Sequence, residues 1–110
     1  MSDTVEDVFS FRDFRTGGGD VLPEARIAYA TRGRLALDGR NAILVTHGYT
    51  SSHRMILPGG ASSEGAWAEL VGPGRAIDTD RYYVVCSNML GSSYGSTNAA
   101  SIDPRTGKPY

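Results

Sequence analysis

The chain has few of the side chains that most chemistries require. In 110 residues it holds one cysteine, Cys86, and two histidines, His47 and His53. A lone cysteine excludes an internal disulfide framework, which suits a reducing compartment and makes the cytoplasm the expected location. Those three groups also lack ligand spacing, so neither a structural zinc nor any resident cofactor is expected. No apolar run approaches the roughly 18 residues that would suggest a membrane span. Met1 to Asp7 is acidic and lacks the basic-then-apolar order of an export signal. Charge of one sign is missing too. Eleven Lys and Arg against twelve Asp and Glu leave a net charge of −1, which offers no footprint for nucleic acid or an anionic membrane. What remains, 40% apolar and 21% charged, is the profile of a globular domain, and the length allows at most one of ordinary size.

The organising stretch is Asn41 to Thr50. Ile43, Leu44 and Val45 form a short apolar run that suits a strand buried on both faces. It stops at once in His47-Gly48, followed by the polar run Tyr49 to His53. A buried strand ending in a Gly-containing loop is how an α/β protein brings backbone groups to a site at the carboxyl edge of its sheet. In serine hydrolases of that class, the residue after such a His-Gly lends its backbone N–H to the oxyanion hole, and here that residue is Tyr49. The same residues also suit a buried strand followed by an ordinary loop.

Upstream, Val8 to Arg15 reads as a strand with one face against something apolar. Thr16 to Asp20 reads as a hairpin turn, because Gly17, Gly18 and Gly19 supply the positive φ that tight reversals need. Glu24 to Arg32 is the returning strand, and residues 33 to 39 connect it to the central one. Downstream, Arg54 to Ala61 is a loop with apolar content that either covers a site or fills the core. Ser62 or Ser63 caps a short helix with Ala66, Trp67, Leu70 and Val71 on one face, and Gly72-Pro73-Gly74 ends it. Trp67 is read as a core anchor. Asp78 to Arg81 turns into a further buried strand, Tyr82 to Asn88, with Cys86 inside it as an inert small hydrophobe. Residues 89–110 form a long polar loop without periodicity, a length that marks a functional loop or a disordered tail.

That polar stretch contains a G-x-S-x-G match, Gly91 to Gly95, with Ser93 at its centre. A nucleophile elbow is a strand-turn-helix, however, and Ser96 to Pro104 has few helix formers and ends in a proline. No histidine follows Ser93, so only His47 or His53 could serve it as a base. Ser93 is therefore a weak candidate nucleophile.

Longer strings carry more information. Asp78 to Tyr82, Ser87 to Gly91, Gly95-Ser96-Thr97 and Ser101 to Tyr110 resemble the homoserine O-acetyltransferase family of α/β-hydrolase-fold enzymes. Ala28 to Gly33 and Asn41 to Gly48 are similar to its opening strands, so the likeness runs through nearly the whole chain in order. The resemblance implies an α/β class and the N-terminal part of an α/β-hydrolase fold. An antiparallel strand pair leads into a mostly parallel sheet with one short helix, so residues 1–110 form an incomplete domain. It also implies acyl transfer through a serine ester, with acetyl-CoA as cosubstrate and L-homoserine as acceptor, and a homodimer. In that family the G-x-S-x-G nucleophile lies beyond the Gly107-Lys108-Pro109-Tyr110 string, and its Asp and His lie further still. These 110 residues thus hold no complete triad and are expected to be inactive alone. Of the functional groups, only the Tyr49 backbone N–H carries over, with His47, Gly48, Thr50 and Asn88 in loops near the site.

Two segments depart from the family pattern. Gly48-Tyr49-Thr50-Ser51-Ser52 stands where an Ala-Leu-Thr-Gly-Asp-like run is usual. Asn98-Ala99 stands where Gly-Pro usually follows Gly-Ser-Thr. Both leave room for an esterase of the same fold, in which water takes the acyl group. A non-catalytic binding module is the reading from a different class.

Overall fold

The computed structural model describes residues 3–59 and 67–110. A four-stranded mixed sheet organises them, in the spatial order β1 (Thr4–Arg15), β2 (Val21–Arg32), β6 (Tyr83–Ser87), β3 (Ala42–Thr46). β1 and β2 form an antiparallel hairpin, β2 pairs antiparallel with β6, and β6 pairs parallel with β3. The expected strand pair leading into a parallel sheet is therefore present, with β6 inserted between β2 and β3.

The hairpin is longer than the sequence pattern suggested, because β1 starts at Thr4 and β2 at Val21. Its turn is held by the Thr16 amide on the Asp20 carbonyl (2.8 Å) and the Gly19 amide on the Thr16 carbonyl (3.0 Å). Pairing runs from Thr4–Arg32 to Arg15–Val21 and skips Asp13, which by register faces Pro23, a residue with no N–H to give. Asp13 takes a left-handed φ of 54° there. Residues three apart in a regular strand point to opposite faces. The left-handed residue brings Phe11 and Phe14 to the same side, where their rings meet edge-on at 5.6 Å, with Phe9 stacked on Phe11 at 5.8 Å.

One face of the sheet carries the core. Across the strands the register aligns Glu6, Ala30, Cys86 and Val45, and two residues along β2 it aligns Arg32, Val84 and Ile43. Over this face lies a 3-10 turn, His53–Ile56, whose Met55 and Ile56 are buried with Val71 in one cluster. Arg54 to Ala61 therefore includes a core plug. Arg32 ties the layer down by donating from Nη1 to the carbonyls of Val71 (2.7 Å) and Ile56 (3.3 Å). At the end of β2, Gly33 (φ 83°) passes against the Tyr82 and Thr79 carbonyls, where any Cβ would collide with backbone.

Three sequence expectations need correction. β3 is not buried on both faces: Val45 is buried, but Leu44 is 66% exposed. Among the described residues it is an outer strand of the sheet, and the 3-10 turn and Val71 cover only the face to which Val45 points. The helix expected from Ser62 or Ser63 begins outside the described residues. Where it should continue, Trp67–Glu69 is a single 3-10 turn and Val71–Gly72 is β4, paired parallel with β5 (Ile77–Asp78). Gly72-Pro73-Gly74 is thus a β4-to-β5 connection. Trp67 is no core anchor, being 39% exposed, because the chain straightens after it and sends Val71 inward instead.

The polar stretch from Asn88 is irregular, apart from the two-residue pair β7 (Ile102–Asp103) and β8 (Lys108–Pro109). Among the described residues, no helix is long and apolar enough to cross a membrane.

Candidate active site

Parallel strands β3 and β6 end side by side, and the loops that leave them enclose a cleft of about 560 Å³. One wall is His47 to Ser51 and the other is Met89 to Tyr94. A crevice beyond the carboxyl ends of parallel strands is where α/β sheets place their ligands, because the diverging loops leave space there.

His47 joins the two walls. It is buried, and its Nε2 accepts the Met89 amide hydrogen at 3.1 Å while Nδ1 lies 2.8 Å from the Gly48 carbonyl. A carbonyl can only accept and an amide N–H can only donate, so the hydrogen sits on Nδ1 and Nε2 presents its lone pair. Both nitrogens are thus committed to backbone. Next along the chain, Gly48 and Tyr49 reach solvent, and a turn closes from the Ser51 amide to the Gly48 carbonyl (3.1 Å). The Tyr49 side chain is 98% exposed, and its backbone N–H makes no hydrogen bond among the described residues.

The opposite wall is a loop pinned at both ends to β2. The Asn88 amide donates to the Ala28 carbonyl (2.8 Å), and the chain returns nine residues later. There the Thr97 amide reaches the Arg26 carbonyl (2.9 Å), while Ser96 Oγ and Thr97 Oγ1 accept from the Ala28 and Arg26 amides (3.1 and 2.8 Å). Asn88 does not line the cleft. It lies buried within the loop and donates from Nδ2 to the Ser93 carbonyl and to Ser96 Oγ (3.1 Å). Gly95, at φ 104°, lets the returning chain pass Ala28, whose Cβ would sit 3.2 Å from any added Cβ. Tyr94 is left-handed (φ 69°) and holds its ring under the Arg54 guanidinium, 5.6 Å away.

Ser93 lies on this wall at a bend in the backbone, and no helix follows it. Neither histidine is placed to activate it. His47 is occupied as described, and His53 is fully buried with Nε2 on Glu6 Oε1 at 2.9 Å. Glu6 also accepts from Arg54 Nε at 2.9 Å, and these two bonds hold its carboxyl below the usual carboxylate range. The sequence singled out His53 only as a possible base. The Glu6 contact was invisible there because 47 residues separate the pair. Cys86 is fully buried inside the sheet, and burial pushes its thiol up to about 11. Among the described residues, no three His, Cys, Asp or Glu side chains gather as a metal site would require.

The arrangement offers an amide without a hydrogen-bond partner among the described residues, at the rim of a cleft whose two walls are joined through His47, a geometry suited to stabilising an oxyanion. Comparisons with known proteins show what the chain is similar to. A homoserine O-acetyltransferase from Geobacter sulfurreducens is 48% identical over 103 residues, 89% of this chain and 27% of the relative. By sequence, the chain is related to the N-terminal portion of the homoserine O-acetyltransferase family. A serine O-succinyltransferase from Frateuria aurantia is 52% identical over 93 residues, 84% of this chain and 25% of that protein. The chain therefore spans about a quarter of the length of these relatives. No family model matches it. Among solved structures, the homoserine O-acetyltransferase from Bacillus anthracis superposes with a TM-score of 0.81 at 28% identity, over 100% of this chain and 31% of that one. Esterase E22 superposes equally well, with a TM-score of 0.81 at 31% identity over 97% of this chain and 31% of that one. The α/β-hydrolase fold is thus common to this chain, family transferases and an esterase.

Proposed function

We propose that this chain supplies the oxyanion-hole side of a serine-dependent acyltransferase, and that the whole protein moves an acetyl group from acetyl-CoA to the hydroxyl of L-homoserine. The observation that carries the reading is the Tyr49 amide, on the residue after His47-Gly48 at the rim of the cleft, which makes no hydrogen bond among the described residues. In the first half-reaction a serine Oγ from the remainder of the protein attacks the thioester carbonyl. The C–S bond breaks, and CoA leaves as the thiol with the proton that a histidine took from the serine. In the second, the homoserine hydroxyl gives its proton to that histidine and attacks the acyl-serine, whose ester C–O bond breaks as the histidine returns the proton to the serine Oγ. Both halves pass through a tetrahedral oxyanion, so one donor assists twice. Such a donor is worth about 3 kcal/mol in kcat. A cytoplasmic location and a homodimer belong to the same proposal. The single buried thiol supports the first, and the family resemblance alone supports the second.

The test is thiol release by the full-length protein from acetyl-CoA, with L-homoserine as acceptor. The serine O-succinyltransferase relative makes succinyl-CoA with L-serine the parallel arm. If neither amino acid accelerates CoA release, the transferase reading fails. The esterase reading is favoured by the likeness to esterase E22 and by Gly48 to Ser52, which departs from the usual run of family transferases. Under it, p-nitrophenyl acetate is hydrolysed at a rate that added homoserine or serine leaves unchanged.

A further inference from the structure

The segment carrying Tyr49 begins at β3, where His47 fastens it, and ends at the 3-10 turn His53–Ile56. A single turn of this kind cannot hold itself in place, since its internal bonds are few and poorly aligned. Its own support is the Ser52 cap, whose Oγ accepts from the Arg54 amide (3.2 Å), with the Met55 amide on the Ser52 carbonyl (3.2 Å) and the Leu57 amide on the Arg54 carbonyl (3.0 Å). Met55 and Ile56 fix its depth by packing in the core. Packing alone leaves rotation about the turn axis open. The two polar side chains of the turn remove that freedom, and both end on one oxygen of Glu6.

Glu6 stands on β1, opposite Ala30 in the register row that continues through Cys86 to Val45, two residues before His47. The row therefore runs from the far edge of the sheet to the strand that feeds the cleft. His53 is buried completely, yet only Nε2 has a partner; Nδ1 has none among the described residues. Burying an imidazole with one nitrogen unsatisfied is costly, and an apolar side chain of similar size would fill the space without that cost. What the apolar side chain would lack is a directed bond to Glu6. Because a carboxylate only accepts, Nε2 must carry the hydrogen, and the ring orientation is fixed. Arg54 adds the second arm, and its guanidinium also covers Tyr94 of the opposite wall.

We propose that Glu6 is a positioning residue of the active site: through His53 and Arg54 it fixes the far anchor of the loop that holds the Tyr49 N–H, so that the donor is set before substrate arrives. This rests on the acyl-transfer reading above. Its charge state fits the task, since the two bonds it receives keep the carboxyl ionised at pH values where a free one would begin to protonate.

The experiment compares full-length wild type with Glu6→Gln, which keeps the size but loses the charge, and with Asp7→Asn as a control. Asp7 is exposed, and among the described residues its carboxylate accepts only from the amide of Val8 (2.8 Å), so its loss tests general damage to β1. Turnover is measured on the acyl substrate that wild type uses, per active serine titrated with an organophosphate, together with backbone hydrogen exchange across residues 48–56. For Glu6→Gln, kcat per titrated site should fall on the order of tenfold or more while KM stays within about twofold, because a misplaced oxyanion donor is felt in the transition state. Exchange across 48–56 should accelerate, and Asp7→Asn should change neither readout. Unchanged kcat per site, or unchanged exchange, in Glu6→Gln overturns the proposal, as does equal damage from Asp7→Asn. A wild type with no transfer or hydrolysis overturns the functional reading instead. The exchange comparison then decides alone whether Glu6 anchors the loop.

Discussion

His47 Nε2 accepts the backbone hydrogen of Met89 across the mouth of two parallel strands, at 3.1 Å. That one bond makes the two walls of the cleft a single unit, because His47 belongs to one and Met89 to the other. With Nδ1 on Gly48, the imidazole is spent as a strut, and no nitrogen is left for chemistry.

Replacing it should therefore loosen the cleft without removing a reacting group. His47→Ala leaves the Met89 amide and the Gly48 carbonyl without their partner. The expected cost is about 1–3 kcal/mol, read as a lower denaturant midpoint at unchanged slope in the full-length protein. A midpoint equal to that of wild type would show that the strut carries no stability.

Asn88 holds the other wall from within. Asn88→Ala removes its bonds to Ser93 and Ser96. Asn88→Asp is nearly isosteric but aims a carboxylate oxygen at the Ser93 carbonyl and buries a charge. The Asp variant should be the less stable of the two, by about 1 kcal/mol or more. The reverse order in a thermal melt would mean that the wall does not depend on this amide.

Gly33 and Gly95 test backbone geometry. Gly33→Ala combines a left-handed φ with a collision against the Tyr82 carbonyl, whereas Gly95→Ala meets only the Ala28 Cβ at 3.2 Å. Both should destabilise, Gly33→Ala by more than about 2 kcal/mol and Gly95→Ala by about 1–2 kcal/mol. Equal midpoints for the two variants would contradict that ranking.

Cys86 sets an alkaline limit. Its thiol ionises only near 11 in the folded state because it is buried, so the folded protein binds the proton more tightly than the unfolded chain does. The resulting stabilisation is complete below the ordinary thiol range and is lost as pH rises through that range toward 11. The stability difference between wild type and Cys86→Ala should therefore shift against wild type across this window and stay flat below it. In native protein at pH 8, a thiol reagent should label Cys86 no faster than the chain unfolds.

Ser93 is the last test. It has the G-x-S-x-G context in sequence, but no helix follows it, both His47 nitrogens are bonded to backbone, and His53 is fully buried and does not line the cleft with it. Ser93→Ala in the full-length protein should keep kcat within about threefold of wild type, far from the loss of about 10⁶ that a nucleophile knockout brings.

The sequence by itself determined the hairpin, the strand that runs into His47-Gly48, the second buried strand and the family likeness, since these depend on local signals. Three glycines make a turn, β-branched and aromatic runs make strands, and long strings such as Ser101 to Tyr110 are specific in their order. It could not say which strand lies beside which. Among the described residues β6 enters between β2 and β3 and leaves β3 as an outer strand, and Leu44 is exposed because the 3-10 turn and Val71 cover only the face to which Val45 points, although Ile43-Leu44-Val45 reads as uniformly buried. Local signals also misled over Trp67 and Val71, whose helical spacing gave way to a turn and a strand because Val71 is drawn into the core. Above all, tertiary structure decided the roles of the histidines. Both stand near the same loop in sequence and either could have served as a base. Only the packing brings Met89 to His47 and Glu6 to His53, across 42 and 47 residues of chain: both His47 nitrogens are bonded to backbone, and His53 is fully buried and does not line the cleft.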